Sequence, residues 1–286
     1  MPFPISVCII TLNEEDNLEK CISKLGFASE IIIVDSGSND RTLEIARSYK
    51  AKVSFRPFDN YVNQKNYALT LAQNDWVLAL DADEVPSEEL IQEIISLTEE
   101  DRKNANGFAI PRMTYYLGQW IRHGGWYPNR QVRLFRRDQG RFAGFLVHET
   151  VQISGHIREL KKPLYHFSYK SLSDHLIFIN HYSTLFAIEK FKQGKRSGLT
   201  KAIGKSLFKL IWMYIFRLGF LDGKPGLVIA ILGSYYNFLK YTKLFELERD
   251  KELASSLLVV VDSIHDIESK KAPNKNGDQV YIRELS

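Results

Sequence analysis

The sequence predicts an α/β fold in which a mostly parallel β-sheet is flanked by helices, followed by a C-terminal helical region. Within the first 100 of its 286 residues, four short apolar runs alternate with stretches of helical periodicity, a pattern typical of parallel sheets. Polar clusters directly follow three of these runs. A hydrophobic content of 44% with 25% charged residues excludes a disordered chain and suffices for a large core.

The first half of the chain supplies the sheet. Runs such as IIIV and WVLAL are typical of strands buried on both faces, and Ser87 is a favourable N-cap for the amphipathic stretch after it. The predicted strands are Ile5–Ile10, Ile31–Val34, Lys52–Phe55 and Trp76–Leu80. The predicted helices follow Thr11-Leu12-Asn13, span Asp40–Tyr49 and Asn60–Ala72, and follow Ser87.

The second half has shorter strands and then helices. The strands are predicted at Phe108–Pro111, Gln131–Arg136 and Leu164–Phe167, and the helices at Ser173–Lys192, 199–221 and 225–245. Cys8 and Cys21 lie in core-like segments and have neither metal nor disulfide spacing. The N-terminal MPFPISVCII lacks the charged start of a signal peptide. We therefore expect a reducing, cytoplasmic setting.

Polar clusters should meet at one edge of the sheet, because ligands bind beyond the carboxyl ends of parallel strands. The carboxylates of Asp81 and Asp83 could hold a divalent cation and leave positions open for phosphate, although a pair of surface acids in a turn is the alternative. Asp35 could accept a hydrogen bond from a nucleobase or ribose, and Gly37 would let a ligand approach the backbone. Ser38 or Asn39 would equally suit a helix cap.

Two further clusters are weaker taken alone. Thr11-Leu12-Asn13-Glu14 combines polar side chains with acids in the first turn of a helix, which is also an ordinary cap. Lys65, in Gln64-Lys65-Asn66, could neutralise phosphate, or it could be a solvated helix lysine. The argument for a ligand site depends on the convergence of all these segments.

Taken in order, IITLNEE, VDSGSNDRT, QKN and LALDADE resemble the inverting family 2 glycosyltransferases of the GT-A fold, over about residues 5–100. The resemblance implies a nucleotide-sugar donor and a divalent Mg²⁺ or Mn²⁺ ion. It also implies that Asp35 and Glu14 contact the nucleoside, Asp81 the ribose or sugar, and Asp83 the metal. Asp81 and His166 are further candidate metal ligands. The other candidate donor-binding residues are Thr11, Asn13, Ser36, Gly37, Lys65 and Ala82.

The catalytic base of that family usually lies in a later Glu-Asp motif. Here the Glu100-Asp101 pair comes too early, and Phe145-Leu146-Val147-His148-Glu149 stands in its place. A His-Glu pair is found in the lipopolysaccharide-core β-1,4-glucosyltransferase-like branch, which this chain also resembles at Arg133–Arg137, His166–Tyr169 and Leu221–Gly226. Inversion requires a group that removes the acceptor hydroxyl proton. We predict Glu149 as that base, with His148 as the alternative; His148 could also be a packed core histidine.

The net charge of +4 hides a strong asymmetry: residues 1–111 carry −9, residues 112–141 carry +6 and residues 187–243 carry +9. The +6 block mixes arginines with Trp and Tyr, which suits a phosphorylated, sugar-rich acceptor; pairing of these arginines with acids is the alternative. Arg130, Arg133 and Trp126 are the candidate acceptor-binding residues. The chain shows no nucleic-acid-binding motif, so we expect no nucleic-acid partner.

The +9 block predicts contact with a membrane surface. Lys201, Lys205, Lys209 and Arg217 recur at multiples of four beside apolar residues. The longest uncharged run, Pro225–Leu239, has 15 residues, fewer than the roughly 20 that span a bilayer. An interfacial helix pair on anionic lipid is therefore favoured; packing on the enzyme or a dimer seam is the alternative.

Together these observations predict a GT-A domain over residues 1–195, with a nucleotide-sugar half at 1–105 and an acceptor half at 106–195. This domain is followed by a membrane-associating amphipathic helical region over 196–267 and by a polar tail over 268–286. We expect a peripheral enzyme on the cytoplasmic face of the inner membrane. By resemblance it would transfer glucose from UDP-glucose to a lipid-linked phosphorylated glycan such as lipopolysaccharide inner core. The alternatives are a polyprenyl-phosphate sugar synthase of the same fold and a non-catalytic membrane-binding scaffold. The sequence does not indicate an oligomeric state.

Overall fold

The computed structural model of the chain describes residues 3–144, 149–250, 252 and 254–256. The chain divides into two compact units. The first comprises the chain up to Tyr115 together with Tyr127–Ser168. The second comprises Tyr116–Trp126 and the described residues from Tyr169 to Ser256.

Strands and helices alternate through the first hundred residues, as predicted. The strands are β1 (Ile5–Thr11), β2 (Glu30–Asp35), β3 (Lys52–Phe55), β4 (Trp76–Asp81), β5 (Glu84–Pro86), β6 (Gly107–Tyr116), β7 (Gln119–Trp120), β8 (Asn129–Arg136), β9 (Gly140–Ala143), β10 (Thr150–Ile153), β11 (Ile157–Glu159) and β12 (Leu164–His166). The α-helices are α1 (Glu15–Ile22), α2 (Thr42–Ser48), α3 (Tyr61–Leu71), α4 (Glu88–Ile95), α5 (Glu99–Lys103), α6 (Leu172–Lys192), α7 (Leu199–Ile211) and α8 (Gly223–Arg249).

The main sheet has the strand order β3-β2-β1-β4-β8-β6-β12-β5. β1 pairs in parallel with β2 and β4, and β2 with β3, whereas β8 is antiparallel to both β4 and β6. Thr11 is in register with Asp35, and Ile10 with Asp81. The polar segments after β1, β2 and β4 therefore leave the same edge of the sheet. The α/β architecture of the GT-A type with a C-terminal helical region is confirmed.

Alternating side chains of the central strands supply two cores, one on each face of the sheet. Val7, Ile9 and Ile33 belong to one cluster of buried residues, while Cys8 and Ile32 belong to the other. Helix α4 contributes to the first cluster through Leu90 and Ile94, and Ser87 caps it by accepting a hydrogen bond from the Leu90 amide at 3.1 Å. Strands buried on both faces explain why their apolar runs are continuous rather than alternating.

In the second unit, α8 packs against both α6 and α7. The helix predicted over 199–221 ends at Ile211, where a π-helical turn (Trp212–Phe216) begins, and Leu218 then adopts a left-handed φ of 57°. Asp222 fixes this connection: its carboxylate accepts hydrogen bonds from the His123 amide at 2.7 Å and from His123 Nδ1 at 2.9 Å. A side chain at Gly226 would collide with the Gly219 carbonyl oxygen. The Leu221–Gly226 motif thus permits a close backbone approach.

Membrane-spanning helices were searched for across the described residues. No helix there combines the length and the apolar character that crossing a bilayer requires.

The buried His175 in the second unit predicts a loss of stability in acid. Its Nδ1 lies 2.7 Å from the Tyr116 hydroxyl, and burial lowers its pKa to about 4. An unfolded histidine has a pKa of about 6.5, so the unfolded chain takes up this proton first as the pH falls. The contribution of neutral His175 to the free energy of unfolding is therefore fully present above about pH 6.5. It decreases between about pH 6.5 and pH 4, by up to about 3 kcal/mol. Chemical denaturation at several pH values measures it.

The control is the exposed His156. We expect His175→Gln to flatten the dependence of unfolding free energy on pH over this interval, and His156→Gln to leave it unchanged. Equal slopes for wild type and His175→Gln would show that His175 is not buried in its neutral form.

Candidate active site

Asp35 is the most completely hydrogen-bonded acid at this edge of the sheet. Its carboxylate accepts hydrogen bonds from the Gly37 and Ser38 amides at 2.8 Å, from the Ser38 hydroxyl at 2.5 Å and from the Thr11 hydroxyl at 2.9 Å. Burial opposes ionisation, but these hydrogen bonds keep the pKa of Asp35 below its usual value. Gly37 has a φ of +107°, a conformation that favours glycine. Asp35 is therefore a fixed anion at the end of β2.

The loops after β1 and β2 are joined by hydrogen bonds. Asn13, with a left-handed φ of 55°, donates its amide to Ser38 Oγ at 2.9 Å and accepts the Asn39 amide through Oδ1 at 2.9 Å. The Glu14 amide donates to Thr42 Oγ1 at 2.8 Å. Thr11, Asn13 and Glu14 thus lie beside the Asp35 segment, as the convergence argument predicted. The same contacts position the start of α2.

Helix α3 brings Lys65 to the end of β4. Lys65 is only 6% exposed, and its Nζ lies 2.7 Å from Asp81 Oδ1 and 3.1 Å from Glu149 Oε1. Asn66 bonds to the backbone of Phe142 on β9 through both side-chain atoms, at 2.8 and 2.9 Å. Because β9 pairs with β10, which begins directly after Glu149, the two adjacent residues of α3 fix the position of Glu149.

The two remaining donor-site candidates are Ser36, directly after β2, and Ala82, after β4. Gln64, which is fully buried, donates to Ser36 Oγ at 2.9 Å and so fixes the segment after β2. Ala82 is buried between the two acids of the Asp81-Ala82-Asp83 segment. His148, the alternative base, lies outside the described residues.

A buried charge network lies around Asp81. Arg133 Nη2 is 2.7 Å from both Asp81 Oδ2 and Glu84 Oε1, and Arg112 Nη1 is 3.3 Å from Glu84 Oε1. Both Asp81 oxygens are therefore in ion pairs, one with Lys65 and one with Arg133. Burial opposes ionisation, yet Lys65 and Arg133 hold the pKa of Asp81 far below its usual range. Lys65 and Arg133 therefore already neutralise the charge of the Asp81 carboxylate.

Asp83 and His166 form a separate pair. His166 Nε2 lies 3.2 Å from Asp83 Oδ2, and His166 Nδ1 lies 3.0 Å from the Ser168 hydroxyl. Within the described parts of the chain, no three His, Cys, Asp or Glu side chains are grouped to hold a metal ion. A carboxylate oxygen and an imidazole nitrogen that face each other nevertheless fit two coordination positions of Mn²⁺ or Mg²⁺. A metal-bound histidine usually donates its other ring N–H to an acceptor, and the Ser168 hydroxyl stands at that position of His166.

Each of the three acceptor-site candidates has its own described contacts. Arg130 pairs with Glu159 at 3.2 Å and donates to the Leu160 carbonyl at 2.8 Å. Arg133 is buried in the Asp81 network. Trp126 belongs to the second unit, where it lies 5.3 Å from the Tyr116 ring centre. Their acceptor-binding role stays a prediction.

The model of the family described as glycosyl transferase family 2 matches residues 6–154 of this chain, which include all of β1 but its first residue, β2 to β4 and every donor-site candidate. The chain belongs to glycosyl transferase family 2. It is therefore a glycosyltransferase, and the family predicted from the motifs is confirmed.

Relatives of this glycosyltransferase match most of its length. It is 32% identical over 254 residues to the lipopolysaccharide core biosynthesis glycosyltransferase LpsC of Rhizobium meliloti (strain 1021), covering 85% of this chain and 92% of that protein. It is 30% identical to an uncharacterized glycosyltransferase of Rickettsia felis, covering 96% and 98%. Among solved structures it is similar to residues 1–349 of S. aureus TarS in complex with UDP-GlcNAc, with 16% identity, a TM-score of 0.44, and 86% and 92% coverage.

Glu84 and Arg112 were missed by the sequence reasoning. Glu84 directly follows the Asp81–Asp83 segment and is completely buried, where it balances the charge of Arg133. The sequence did contain a signal for Glu84. Three acids so close together need a positive charge nearby, and the arginine-rich stretch at 112–141 could supply it. No periodicity in the sequence, however, connects Glu84 with residues 28 and 49 positions later.

The glycosyltransferase should lose stability when Arg133 is removed. Arg133→Met would leave Asp81 and Glu84 as buried acids with one cation fewer, and breaking a buried pair typically costs about 3–5 kcal/mol. Urea denaturation measures the change in unfolding free energy. Arg136→Met removes an arginine whose partner Asp138 is exposed, and we expect it to cost below about 1 kcal/mol. Equal losses for the two variants would contradict the buried network.

Proposed function

We propose that this glycosyltransferase transfers a sugar, with inversion at the anomeric carbon, from a nucleotide donor to a lipid-linked phosphorylated glycan. UDP-glucose is the proposed donor, and lipopolysaccharide inner core is the proposed acceptor. The similarity to LpsC, a lipopolysaccharide core biosynthesis glycosyltransferase, supports the acceptor class. The motif resemblance supports a nucleotide-sugar donor.

The observation that carries the proposal is the Glu149–Lys65–Asp81 chain of contacts. It connects a candidate base to the strand end where the donor is proposed to bind, through one buried ammonium group at 3.1 and 2.7 Å from the two acids. Glu149 is partly exposed, with 25% of its side chain accessible, so an acceptor hydroxyl could reach it. The Asp35 carboxylate already accepts four hydrogen bonds, so the nucleoside would bond to it in place of the Thr11 or Ser38 hydroxyl.

The proposed reaction has one displacement step. An acceptor hydroxyl oxygen attacks C1 of the donor sugar while the Glu149 carboxylate takes the hydroxyl proton. The bond from C1 to the diphosphate oxygen breaks, and its electron pair leaves with the nucleoside diphosphate. Lys65 Nζ, which lies 3.1 Å from Glu149 Oε1, would hold the Glu149 carboxylate in position for this step. Attack from the face opposite the leaving group gives inversion.

We propose that Asp83 and His166 hold a divalent metal ion, Mg²⁺ or Mn²⁺. Such an ion, when bound, supplies positive charge that stabilises a leaving diphosphate. Ser168 would orient the His166 ring by accepting a hydrogen bond from Nδ1, which leaves Nε2 free to bind the ion.

We also propose that the second unit holds the enzyme on the cytoplasmic face of the inner membrane. Large apolar side chains of α7 and the turn after it are 46–64% exposed, namely Leu207, Phe208, Ile211, Ile215 and Phe216. Lysines Lys201 and Lys205 on α7 are exposed as well. Apolar side chains flanked by cations suit the boundary of an anionic bilayer.

The test of catalysis is a transfer assay with radiolabelled UDP-glucose, Mn²⁺ and lipopolysaccharide truncated at the inner core. We expect label in the lipid fraction, with a β linkage because the donor linkage is α. A product with the α linkage would contradict inversion. Other UDP, GDP and ADP sugars in parallel test the identity of the donor.

The test of membrane association is co-sedimentation of the full chain with liposomes at low salt. We expect binding to vesicles that contain phosphatidylglycerol, and release at high salt. Failure to co-sediment with anionic vesicles at low salt would overturn the peripheral location.

A further inference from the structure

Glu84 begins β5, directly after the turn formed by Ala82 and Asp83, and its side chain is completely buried. Its Oε2 atom accepts a hydrogen bond from the Asp81 amide at 3.2 Å, so the carboxylate folds back across the turn. A side chain that bonds to the nearby backbone in this way fixes the local path of the chain. Glu84 therefore holds the main chain of Asp81 at the point where β4 ends.

The other oxygen of Glu84 is connected to the side chain of Asp81. Arg133 Nη2 lies 2.7 Å from Glu84 Oε1 and 2.7 Å from Asp81 Oδ2, so one nitrogen bridges the two carboxylates. Arg112 Nη1, on β6, lies 3.3 Å from the same oxygen of Glu84. Because Arg133 is only 6% exposed, it has little room to take another position. The backbone and the side chain of Asp81 are thus both tied to Glu84.

Asp81 keeps acceptor capacity for a ligand in spite of these contacts. A carboxylate offers about four acceptor positions, and the ion pairs with Lys65 at Oδ1 and Arg133 at Oδ2 take one each. The Asp81 side chain is 27% exposed, whereas that of Glu84 is completely buried. A hydroxyl of a donor ribose or sugar could therefore reach Asp81 but not Glu84.

We infer that Glu84 is a positioning residue for donor binding, which fixes the Asp81 carboxylate in the orientation that accepts a donor hydroxyl. A buried ion network is a weak source of stability compared with apolar packing, so its value at this edge of the sheet is the single geometry that it imposes. The inference rests on the proposed donor site at the end of β4. It adds that a residue without access to the donor sets the affinity for it.

Glu30 provides a matched control at the opposite edge of the same sheet. It begins β2, and only 7% of its side chain is exposed. Its carboxylate accepts the Gln73 amide at 2.7 Å and pairs with the Lys52 ammonium at 2.7 Å. Replacing either acid by Gln therefore removes a buried charge that holds a backbone amide and a cation. Of the two acids, Glu84 is the one that contacts Asp81.

The test measures the Kd for UDP-glucose by calorimetry with Mn²⁺ present, and the kinetics of transfer, in the full chain. We expect Glu84→Gln to raise Kd and KM about tenfold, the size of one lost hydrogen bond to a charged group, with a much smaller change in kcat. Glu30→Gln should leave all three close to wild type, although both variants lose stability. Circular dichroism verifies that each variant is folded at the assay temperature. Equal Kd values for the two variants would overturn the inference.

A double-mutant cycle tests whether Glu84 acts through Asp81. In the Asp81→Asn background, we expect Glu84→Gln to change Kd by less than about twofold, because the carboxylate that it positions is already gone. Independent, additive effects of the two substitutions on Kd would contradict the positioning role. Glu84→Asp keeps the charge but is too short to reach both Arg133 and the Asp81 amide. We expect it to raise Kd in the same direction, which provides a second variant if Glu84→Gln does not fold.

The outcomes separate this inference from the proposed function. If the wild type bound no UDP-glucose, the proposed donor and the positioning role would fail together. If the wild type, Glu84→Gln and Glu84→Asp all bound UDP-glucose equally well, the donor site would stand and the positioning role of Glu84 would be wrong.

Discussion

Glu149→Gln is expected to lower kcat for sugar transfer by a factor of about 10²–10⁴, the usual contribution of a general base. The amide keeps the shape of the side chain but cannot take the acceptor proton. Donor binding should persist, because the Asp35 hydrogen bonds and the Asp83–His166 pair are untouched. Steady-state transfer kinetics and calorimetric binding of UDP-glucose measure the two quantities.

The matched control is Glu159→Gln, since Glu159 is a half-exposed acid whose ion-pair partner is Arg130. We expect nearly unchanged kcat for this variant. Near-normal turnover in Glu149→Gln would contradict the assignment of Glu149 as the base. It would favour either His148 as the base or an acceptor that needs little base catalysis, such as a polyprenyl phosphate.

Asp83→Ala is expected to abolish transfer and with it the stimulation by Mn²⁺. Asp83 Oδ2 lies 3.2 Å from His166 Nε2, so the loss of this carboxylate leaves His166 alone of the two proposed ligands. We expect UDP-glucose affinity measured with Mn²⁺ to fall to the value measured with EDTA. Titrating Mn²⁺ into wild type and variant in the transfer assay tests this.

Asp138→Ala, which removes an exposed acid paired with Arg136, is the control for this experiment. His166→Ala should weaken Mn²⁺ stimulation in the same direction as Asp83→Ala. Metal-stimulated transfer that survives in Asp83→Ala would contradict the proposed metal ligands and would direct attention to Asp81.

The sheet could be predicted because its local and global signals agree. The run Ile31–Val34 is apolar, β-branched and bounded by a turn, and the strand runs from Glu30 to Asp35. The convergence of Thr11, Asp35 and Asp81 followed from parallel pairing alone, and the observed register matches it. Boundaries were less accurate: the helix predicted over 199–221 ends at Ile211, where the π-helical turn begins.

The contacts across the site could not be predicted in the same way. Taken alone, the sequence favoured a solvated helix lysine at position 65, yet Lys65 is buried between Asp81 and Glu149. Glu149 lies 84 residues from Lys65, and no spacing rule joins two residues that meet only through the pairing of β9 with β10. Arg133 was selected for its type in an arginine-rich stretch, but its burial beside Glu84 depends on the antiparallel pairing of β8 with β4.

The central claim is that the carboxylates at the ends of β2 and β4 bind a nucleotide sugar together with a divalent ion. A thermal-shift panel of UDP, GDP and ADP sugars, each with Mn²⁺ or with EDTA, tests it most directly. A donor at about 100 times its dissociation constant should stabilise the fold by about 2.7 kcal/mol. We predict a rise in Tm for UDP-glucose with Mn²⁺ that is lost with EDTA and in Asp35→Asn. If no nucleotide sugar raised the Tm of the wild type, either with Mn²⁺ or with EDTA, the claim that these carboxylates bind a nucleotide sugar would be wrong.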